Sequence, residues 1–468
     1  MNKYINLIKN LGLLTIGTFG TKLLTFFLVP FYTNILTTEE YGTFDLVNTI
    51  IALLLPIATL NIAEGVLRFS VGKTFEEQEK VLTIGLKNTL YGIGYVGIFL
   101  AINNFLFNNN IIFLNSTFII VLFVFQSFNQ ILVYFARGIN DIVCVSICGL
   151  ISSSITILLN VLFLGIFKLG LWGYFVSTII GYAVSCIIFC LRLKIWNYIS
   201  ISAKDDDLER KIRKYCIPLI FNTVGWWINN ASDRLIVTWL CGVEQNGIYS
   251  VAYKIPAILT TIQNIFNQVW ILSSVQEFDK NDKSGFFKNI YSYSNSIVCF
   301  ICFLLIVFSK YIAKIMFSKD FYQGWIFSPF LTIAVVFGTL SGVMGGIFSS
   351  VNMTKIVGFS TCCGAVINII LNILLVFYMG PIGAAIATVV SGIVVWLIRM
   401  VKIKSIINIK INYFRNMLTY VVLFLQTSIV FLVNNAIVYF IISGCFSFLL
   451  LVLIFNDIKT RKNIKVEI

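Results

Sequence analysis

The most unusual residues of this chain are charged side chains inside long apolar stretches. Lys22 lies near the middle of residues 11–32, which are otherwise free of charge. Half of such a helix, at about 1.5 Å per residue, keeps the ammonium group about 15 Å from water on either side. A lysine at that depth costs on the order of 3 kcal/mol. We interpret Lys22 as facing a wet cavity that binds an anion; the alternative is an ion pair with a carboxylate on a neighbouring helix.

Three other basic residues have weaker claims to a binding role. Arg234 is close to the predicted outer end of its segment, where it either contacts cargo or extends to the lipid headgroups. Lys254 opens the next segment and is expected to extend to the headgroups. Arg68 follows Glu64 at the i, i+4 spacing of a helical ion pair, so we interpret it as structural. The alternative for Arg68 is contact with an anion at the inner mouth.

Polar and aromatic residues recur on one predicted helix face. Positions i, i+4, i+7 and i+11 of a helix share a face, and here they are occupied by Asn222, Trp226, Asn229 and Asp233. Amides that bond ring edges, beside an aromatic plane, suit a hydroxyl-rich, ring-shaped cargo. The alternative for any one amide is an interhelical hydrogen bond worth about 0.6 kcal/mol. For the stripe as a whole we favour a wet cargo surface.

Residues for catalysis are scarce. The chain has no histidine, the commonest general base and zinc ligand. Its eleven cysteines include i, i+4 pairs inside apolar segments and are expected to pack as small apolar residues. Glu40, Asp45 and Asp141 stand at predicted helix starts, where capping accounts for them. We therefore expect no enzyme, no metal site and no cofactor; a proton or sodium gradient, with Asp233 as candidate carboxylate, is the expected energy source.

Fourteen apolar blocks must position these residues. The chain is 58% apolar and only 12% charged, unlike soluble proteins. Each block is long enough to cross a bilayer as a helix, and the alternating pattern of an outer-membrane barrel is absent. The sequence therefore predicts an all-α integral membrane protein of about 14 transmembrane helices. The blocks are residues 11–32, 44–67, 81–102, 111–135, 142–167, 172–191, 217–240, 249–275, 290–308, 325–351, 356–378, 381–398, 417–433 and 436–455.

The distribution of basic residues predicts the orientation. Most of the 34 Lys and Arg residues fall in loops on the side shared by both termini. By the positive-inside rule, both termini are cytoplasmic. The net charge of +14 follows from this bias and from anionic lipid, so we expect no nucleic acid partner. In the longest inner connection, Leu208, Ile212 and Tyr215 have the spacing of an amphipathic helix on the membrane surface.

Short motifs recur six segments apart. Glu-Glu-Tyr-Gly at 39–42 resembles Glu-Gln-Asn-Gly at 244–247, and Asn-Val-Leu at 160–162 resembles Asn-Ile-Leu at 372–374. Because six is even, the two copies enter the membrane from the same side and are related by an axis along its normal. This predicts two six-helix lobes and a cleft between them that opens to each side alternately. The expected divisions are an N-terminal lobe (1–200), an amphipathic linker (201–216), a C-terminal lobe (217–400) and two extra helices with a tail (401–468).

The N-terminal motifs resemble a known family. Lys22, Pro30, Leu-Thr-Thr-Glu-Glu-Tyr-Gly at 36–42 and Glu-Gly-Val-Leu-Arg-Phe at 64–69 look like those of Wzx-type polysaccharide biosynthesis flippases. These belong to the multidrug/oligosaccharidyl-lipid/polysaccharide exporter superfamily. They carry undecaprenyl-diphosphate-linked oligosaccharide repeat units from the inner to the outer leaflet of the bacterial cell membrane, for O-antigen, capsule or exopolysaccharide. Lipid II flippases of this superfamily have more arginines in their first spans, which weakens a peptidoglycan assignment.

The resemblance implies roles and partners. Lys22 and Arg234 would bind the diphosphate and the stripe of the seventh segment would receive the sugars, while the prenyl tail stays in membrane lipid. A polysaccharide polymerase and a chain-length regulator would be partners. Two alternatives stay open. A drug/cation antiporter of the same superfamily should have an acidic cleft, and an integral-membrane polymerase or glycosyltransferase would have only Glu39 and Glu40, on a short loop, as an acid pair.

Overall fold

The computed structural model describes residues 26–107, 111–199, 205–276, 278–283, 285–351, 353–409 and 411–466. Within these ranges the protein consists of helices, turns and loops. The α-helices are α1 (Val29–Ile35), α2 (Thr38–Ala58), α3 (Ile62–Ser70), α4 (Phe75–Leu106), α5 (Ile111–Leu114), α6 (Ser116–Gly138), α7 (Ile142–Asn160), α8 (Gly170–Leu193), α9 (Asp206–Cys241), α10 (Val243–Ala252), α11 (Lys254–Gln276), α12 (Phe286–Val307), α13 (Ser309–Met316), α14 (Ser328–Ser350), α15 (Thr354–Met379), α16 (Pro381–Ile403), α17 (Tyr413–Leu432) and α18 (Ala436–Val466).

The predicted all-α membrane architecture is confirmed. In the described chain, 11 helices are long and apolar enough to cross a membrane. They are α2, α4, α6, α7 with the π-helical turn that follows it, α8, α12 and α14 to α18. The first predicted span lies mostly outside the described residues. The polar residues of α9 and α11 leave these two helices out of the eleven, so the number of fourteen stays a prediction.

The second predicted span is interrupted. α2 ends at Ala58, and Leu60 and Asn61 adopt positive φ angles of 54° and 50° before α3 begins. Pro56 lies in the last turn of α2, where its ring removes a backbone donor. A single helix over 44–67 was therefore wrong, because hydropathy alone does not detect a left-handed turn inside an apolar stretch.

The contacts divide the chain into two compact units. Unit 1 extends to Thr238 and includes Gly242–Gly247, and unit 2 comprises Trp239–Cys241 and the chain from Ile248 onward. By contacts, most of α9 thus belongs to unit 1. The predicted lobes with a boundary at residue 217 stay a prediction.

In unit 1, the start of α9 packs on the core. Ile212 and Cys216 are fully buried in a cluster with Val66 and Phe135. Gly65 permits this approach, because a Cβ at that position would overlap the side chains of Ile212 and Cys216. The amphipathic segment was expected to lie on the membrane surface as a separate helix. It is instead the first part of one continuous helix, α9, in which Ile212 is buried against unit 1 and Tyr215 is exposed.

In unit 2, the core is centred on α14. The indole of Trp270 donates to the carbonyl oxygen of Val343 at 2.8 Å. Arg399 is only 2% exposed, and its guanidinium donates to the Ser341 carbonyl at 2.7 Å and to the Ser360 hydroxyl at 2.9 Å. These bonds join α14, α15 and α16, so this arginine is a structural residue and not an exposed cytoplasmic charge.

Candidate functional site

The Leu-Thr-Thr-Glu-Glu-Tyr-Gly motif builds a helix start and a contact between helices. The Thr37 hydroxyl accepts from the backbone N–H of Glu40 at 3.1 Å, and the Glu40 carboxylate accepts from the backbone N–H of Thr37 at 2.9 Å. This capping box begins α2. The other oxygen of Glu40 accepts from the backbone N–H of Leu171 at 3.0 Å. The predicted cap role of Glu40 is confirmed, and Glu40 also ties the start of α8 to α2.

Asp45 is not a cap. It lies inside α2 and forms an ion pair of 3.3 Å with Arg234 of α9. The two side chains are 15% and 23% exposed. The prediction of capping for Asp45 was wrong. Of the two alternatives for Arg234, cargo contact or extension to the headgroups, neither anticipated this ion pair. Sequence could not reveal the pair, because its partners are 189 positions apart.

The polar stripe of α9 changes its environment along the helix. Asn222 and Trp226 are exposed, whereas Asn229 is half-buried and donates to the carbonyl of Gly225 at 2.9 Å. Asp233 is 3% exposed, and its carboxylate accepts from the backbone N–H of Arg234 at 3.0 Å. Asn222 and Trp226 therefore lie on the surface, whereas Asp233 is buried inside the protein.

The remaining predicted site residues fall in different units or outside the described residues. Arg68 is exposed at the end of α3 in unit 1. Its expected partner Glu64 accepts instead from the hydroxyl of Tyr134 at 3.4 Å, and the ion pairs of the described residues do not include Glu64 with Arg68. Lys254 begins α11 in unit 2 and is half-buried. Lys22 lies outside the described residues.

Unit 1 contains an open cavity of about 480 Å³, within the size range of ligand sites. Its walls are α1, α2, α6, α7 and α8. The described lining residues are Leu28, Tyr32, Phe44, Asn48, Asn129, Val133, Arg137, Val145, Ser146, Gly149, Ser152, Ser153, Thr156, Ile157, Asn160, Tyr174, Thr178, Tyr182, Ser185 and Phe189. We call this space the unit 1 cavity.

The hydroxyl groups of the unit 1 cavity offer mainly acceptors. Ser153, Thr156 and Thr178 each donate their proton to a backbone carbonyl one turn earlier, at 2.8–2.9 Å. A hydroxyl oxygen that has donated its proton keeps two lone pairs. The wall therefore suits a ligand rich in hydrogen-bond donors.

Asn160 is a fully buried polar residue in the wall of the unit 1 cavity. Its amide nitrogen donates to the hydroxyl of Tyr32 at 2.8 Å. Its Oδ1 atom has no hydrogen-bond partner among the described residues. A buried acceptor without a partner costs about 1–3 kcal/mol, so a donor group of a ligand at this position would recover that energy.

Stacked aromatic rings form one side of the unit 1 cavity. The ring of Tyr174 stacks on Phe44 at 3.7 Å and on Tyr32 at 4.8 Å between centroids. Rings beside hydrogen-bonding groups bind the apolar face and the polar edge of a sugar together. None of the described lining residues carries a carboxylate, and Arg137 is the cation among them.

The sequence contained a signal for this cavity that we did not use. Residues 146, 149, 153, 156 and 160 of α7 share one helix face, and all are small or polar in an otherwise apolar span. The amide of Asn129 donates to the hydroxyl of Ser185 at 2.6 Å, so Asn129 both lines the cavity and bridges α6 and α8.

The fold resembles that of solved transporters. A structure described as the lipid II flippase MurJ in an inward closed conformation aligns with a TM-score of 0.70 at 16% identity, covering 97% of this chain and 99% of the other. A multidrug resistance MATE family transporter of the MOP superfamily, in an inward-facing conformation, aligns with a TM-score of 0.68 at 13% identity, covering 82% and 95%. The protein thus has the fold of MOP superfamily transporters.

The sequence identifies the family. The model of the family described as polysaccharide biosynthesis protein matches residues 7–271, more than half of the chain, so the protein belongs to that family. A curated relative, the probable low-salt glycan biosynthesis flippase Agl15 of Haloferax volcanii, is 24% identical over 222 residues. That match covers 46% of this chain and 47% of the relative, so the chain spans about half the length of the relative it matches. The family resemblance predicted from the N-terminal motifs is confirmed.

Proposed function

We propose that this protein is a flippase that moves a lipid-linked oligosaccharide from the inner to the outer leaflet of a cell membrane. The observation that carries the proposal is the unit 1 cavity, whose acceptor-rich wall and stacked tyrosines suit sugars, in a member of the polysaccharide biosynthesis family. The flippase names of Agl15 and MurJ support the same reaction class. The carrier we propose is undecaprenyl diphosphate, and the product serves O-antigen, capsule or another exported polymer.

The physical need for such a protein is clear. A diphosphate with attached sugars does not cross about 30 Å of hydrocarbon unaided. Alternating access moves the headgroup through a polar path while the prenyl chain stays in lipid. We propose that Lys22 compensates the anion and that a proton or sodium gradient drives the cycle. A polymerase and a chain-length regulator of the same membrane would receive the product.

The site predictions are revised by the contacts of unit 1. The charge of Arg234 is matched by Asp45, so we propose for Arg234 a role in holding α9 against α2, next to the path of the cargo. Asn222 and Trp226, both exposed on α9, keep the proposed role of contacting sugars. To them we add Asn129 and Asn160 of the unit 1 cavity.

The test is complementation of a strain that lacks its repeat-unit flippase. Wild-type protein should restore polymer, Lys22→Arg should retain function and Lys22→Ala should lose it. Asn160→Ala should lower polymer several-fold at matched protein levels, whereas the matched control Asn434→Ala, an exposed amide between α17 and α18, should not. Normal polymer with Lys22→Ala contradicts the anion role. Export of cationic drugs without any polymer would favour the antiporter alternative, against which the absence of carboxylates from the described cavity lining already weighs.

A further inference from the structure

The cytoplasmic end of α9 carries a second recess in unit 1, separate from the unit 1 cavity. It is open, has a volume of about 610 Å³, and its described lining residues all belong to α9. They are Asp206, Glu209, Arg210, Arg213, Lys214 and Ile217. Basic groups outnumber acidic groups in this set, so the recess has positive potential.

Two acidic residues at the start of α9, Glu209 and Asp205, are engaged in contacts within unit 1. Glu209 accepts from Lys87 at 3.0 Å and forms an ion pair with Arg213 at 2.6 Å. Burial alone would raise the pKa of Glu209, but the hydrogen bond from Lys87 and the charge of Arg213 hold it below its ordinary value. Asp205 caps the helix through the N–H of Leu208. These contacts fix the start of α9 on α4 with a charged, fully paired carboxylate at Glu209.

Arg210 and Lys214 are left facing outward. Both side chains are exposed, one turn apart, and neither takes part in an ion pair of the described residues. Asp206 and Asp207, one turn earlier, and Lys211, next to Arg210, are exposed on the same side of the helix. Three cations against two carboxylates leave a net positive charge on this side, so it is complementary to an anion.

The same face of α9 becomes apolar immediately beyond the cations. Ile217 and Phe221 are 46% and 77% exposed, and they follow Lys214 at i+3 and i+7. At about 1.5 Å per residue, Phe221 lies about 10 Å along the helix from Lys214. One continuous helix thus carries two cations and then two large apolar side chains, with the exposed Asn222 and Trp226 farther along it.

We propose that this face is the loading site for the polyprenyl diphosphate of the cargo: Arg210 and Lys214 bind the diphosphate, and Ile217 and Phe221 contact the first isoprene units. The assignment rests on the proposed function, because it takes the carrier lipid from it. It places the headgroup at the cytoplasmic start of the helix that carries the polar stripe. The cargo would then move along one element from its loading site toward the sugar-binding residues.

The experiment measures binding of farnesyl diphosphate to the purified full-length protein in detergent. The double variant Arg210→Gln/Lys214→Gln should bind at least about tenfold more weakly, since charge-assisted hydrogen bonds are lost. Lys355→Gln is the matched control, because Lys355 is an exposed lysine at the start of α15, distant from α9 in the chain. It should bind as the wild type does. Phe221→Ala should weaken the binding of farnesyl diphosphate but not the binding of inorganic pyrophosphate.

Several outcomes overturn the loading site. Unchanged affinity in the double variant, or an equal loss in Lys355→Gln, would show that the protein attracts the diphosphate only through its general positive charge. If the wild-type protein bound inorganic pyrophosphate as tightly as farnesyl diphosphate, Ile217 and Phe221 would have no role in binding. Equal competition by phosphatidylglycerol would make the face a site for bulk anionic lipid.

Failure of this proposal is distinguishable from failure of the proposed function. If wild-type protein restores polymer and the double variant binds farnesyl diphosphate normally, the loading site is wrong and the flippase assignment stands. If no flippase-deficient strain is complemented but binding depends on Arg210 and Lys214, the loading face stands and the cargo assignment falls.

Discussion

At the scale of single residues, the role assigned to a buried charge changes once its ion-pair partner is known. Arg234 resembled a free cation in the sequence, yet it is paired with Asp45 across two helices at 3.3 Å. Removing one member of such a pair is more harmful than replacing both, since an uncompensated charge stays in a low-dielectric environment. We therefore interpret the ion pair mainly as a structural contact that holds α9 against α2.

The prediction for this pair separates stability from function. Arg234→Gln should lower the free energy of unfolding by about 2–3 kcal/mol, and the double variant Asp45→Asn/Arg234→Gln should recover most of that loss. Thermal unfolding in detergent measures both. If the double variant is stable but still fails in complementation, Arg234 contacts cargo as well. If the single variant unfolds like the wild type, the ion pair contributes nothing to the fold.

At the scale of elements, the repeated motifs pack against each other. Gly42 of α2 and Gly247 of α10 come from Glu-Glu-Tyr-Gly and Glu-Gln-Asn-Gly, and both lie at a close helix crossing in unit 1. A Cβ at Gly42 would overlap the carbonyl oxygen of Val243, and one at Gly247 would overlap that of Thr38. The amide of Asn246 donates to the carbonyl of Gly42 at 3.1 Å. The motif is therefore a backbone-to-backbone contact in which a side chain has no room.

This geometry predicts that Gly42→Ala and Gly247→Ala each destabilise the protein by about 1–3 kcal/mol, the usual range for overpacking. Gly94→Ala is the matched control, because a Cβ at Gly94 in α4 meets nothing within 4 Å. That change should be neutral or slightly stabilising, since alanine favours helix. Thermal unfolding of the three variants decides the matter. If Gly42→Ala had the same melting temperature as the wild type, α2 and α10 could move apart without cost, and the close contact would not matter for stability.

At the scale of the whole molecule, the distribution of basic residues predicts the orientation in the membrane. The basic residues are concentrated in alternate loops of the sequence, and the positive-inside rule places those loops in the cytoplasm. The loop at residues 278–283 contains Lys280 and Lys283, and it should be inside. The turn near Lys319, between α13 and α14, should be outside.

Reporter fusions test this topology. Green fluorescent protein joined after Lys283 should fluoresce, because it remains in the cytoplasm. Alkaline phosphatase joined after Ser318 should be active, because that position is exported. A reversed pattern at both positions would invert the orientation and place the recess of α9 on the outer side. A mixed pattern would contradict the predicted number of spans between them.

The helices and the family were accessible from the sequence because they depend on local properties. Apolar blocks longer than a bilayer is thick become helices, since every backbone group must be hydrogen-bonded internally. The Thr37–Glu40 capping box follows from neighbours along the chain. The break at Leu60 and Asn61 was missed because an apolar residue and an asparagine leave the hydropathy of the block nearly unchanged.

By itself, the sequence determined the membrane class, the helical segments, the expected orientation and the family. Only the tertiary structure decided that Asp45 neutralises Arg234, that Ile212 packs inside unit 1, and that Asn160 lines a cavity with an Oδ1 acceptor that no described residue bonds. The physical reason is the range of the interactions. Hydropathy and capping act between near neighbours, whereas a buried ion pair and a cavity wall arise from residues on helices that are distant in the chain.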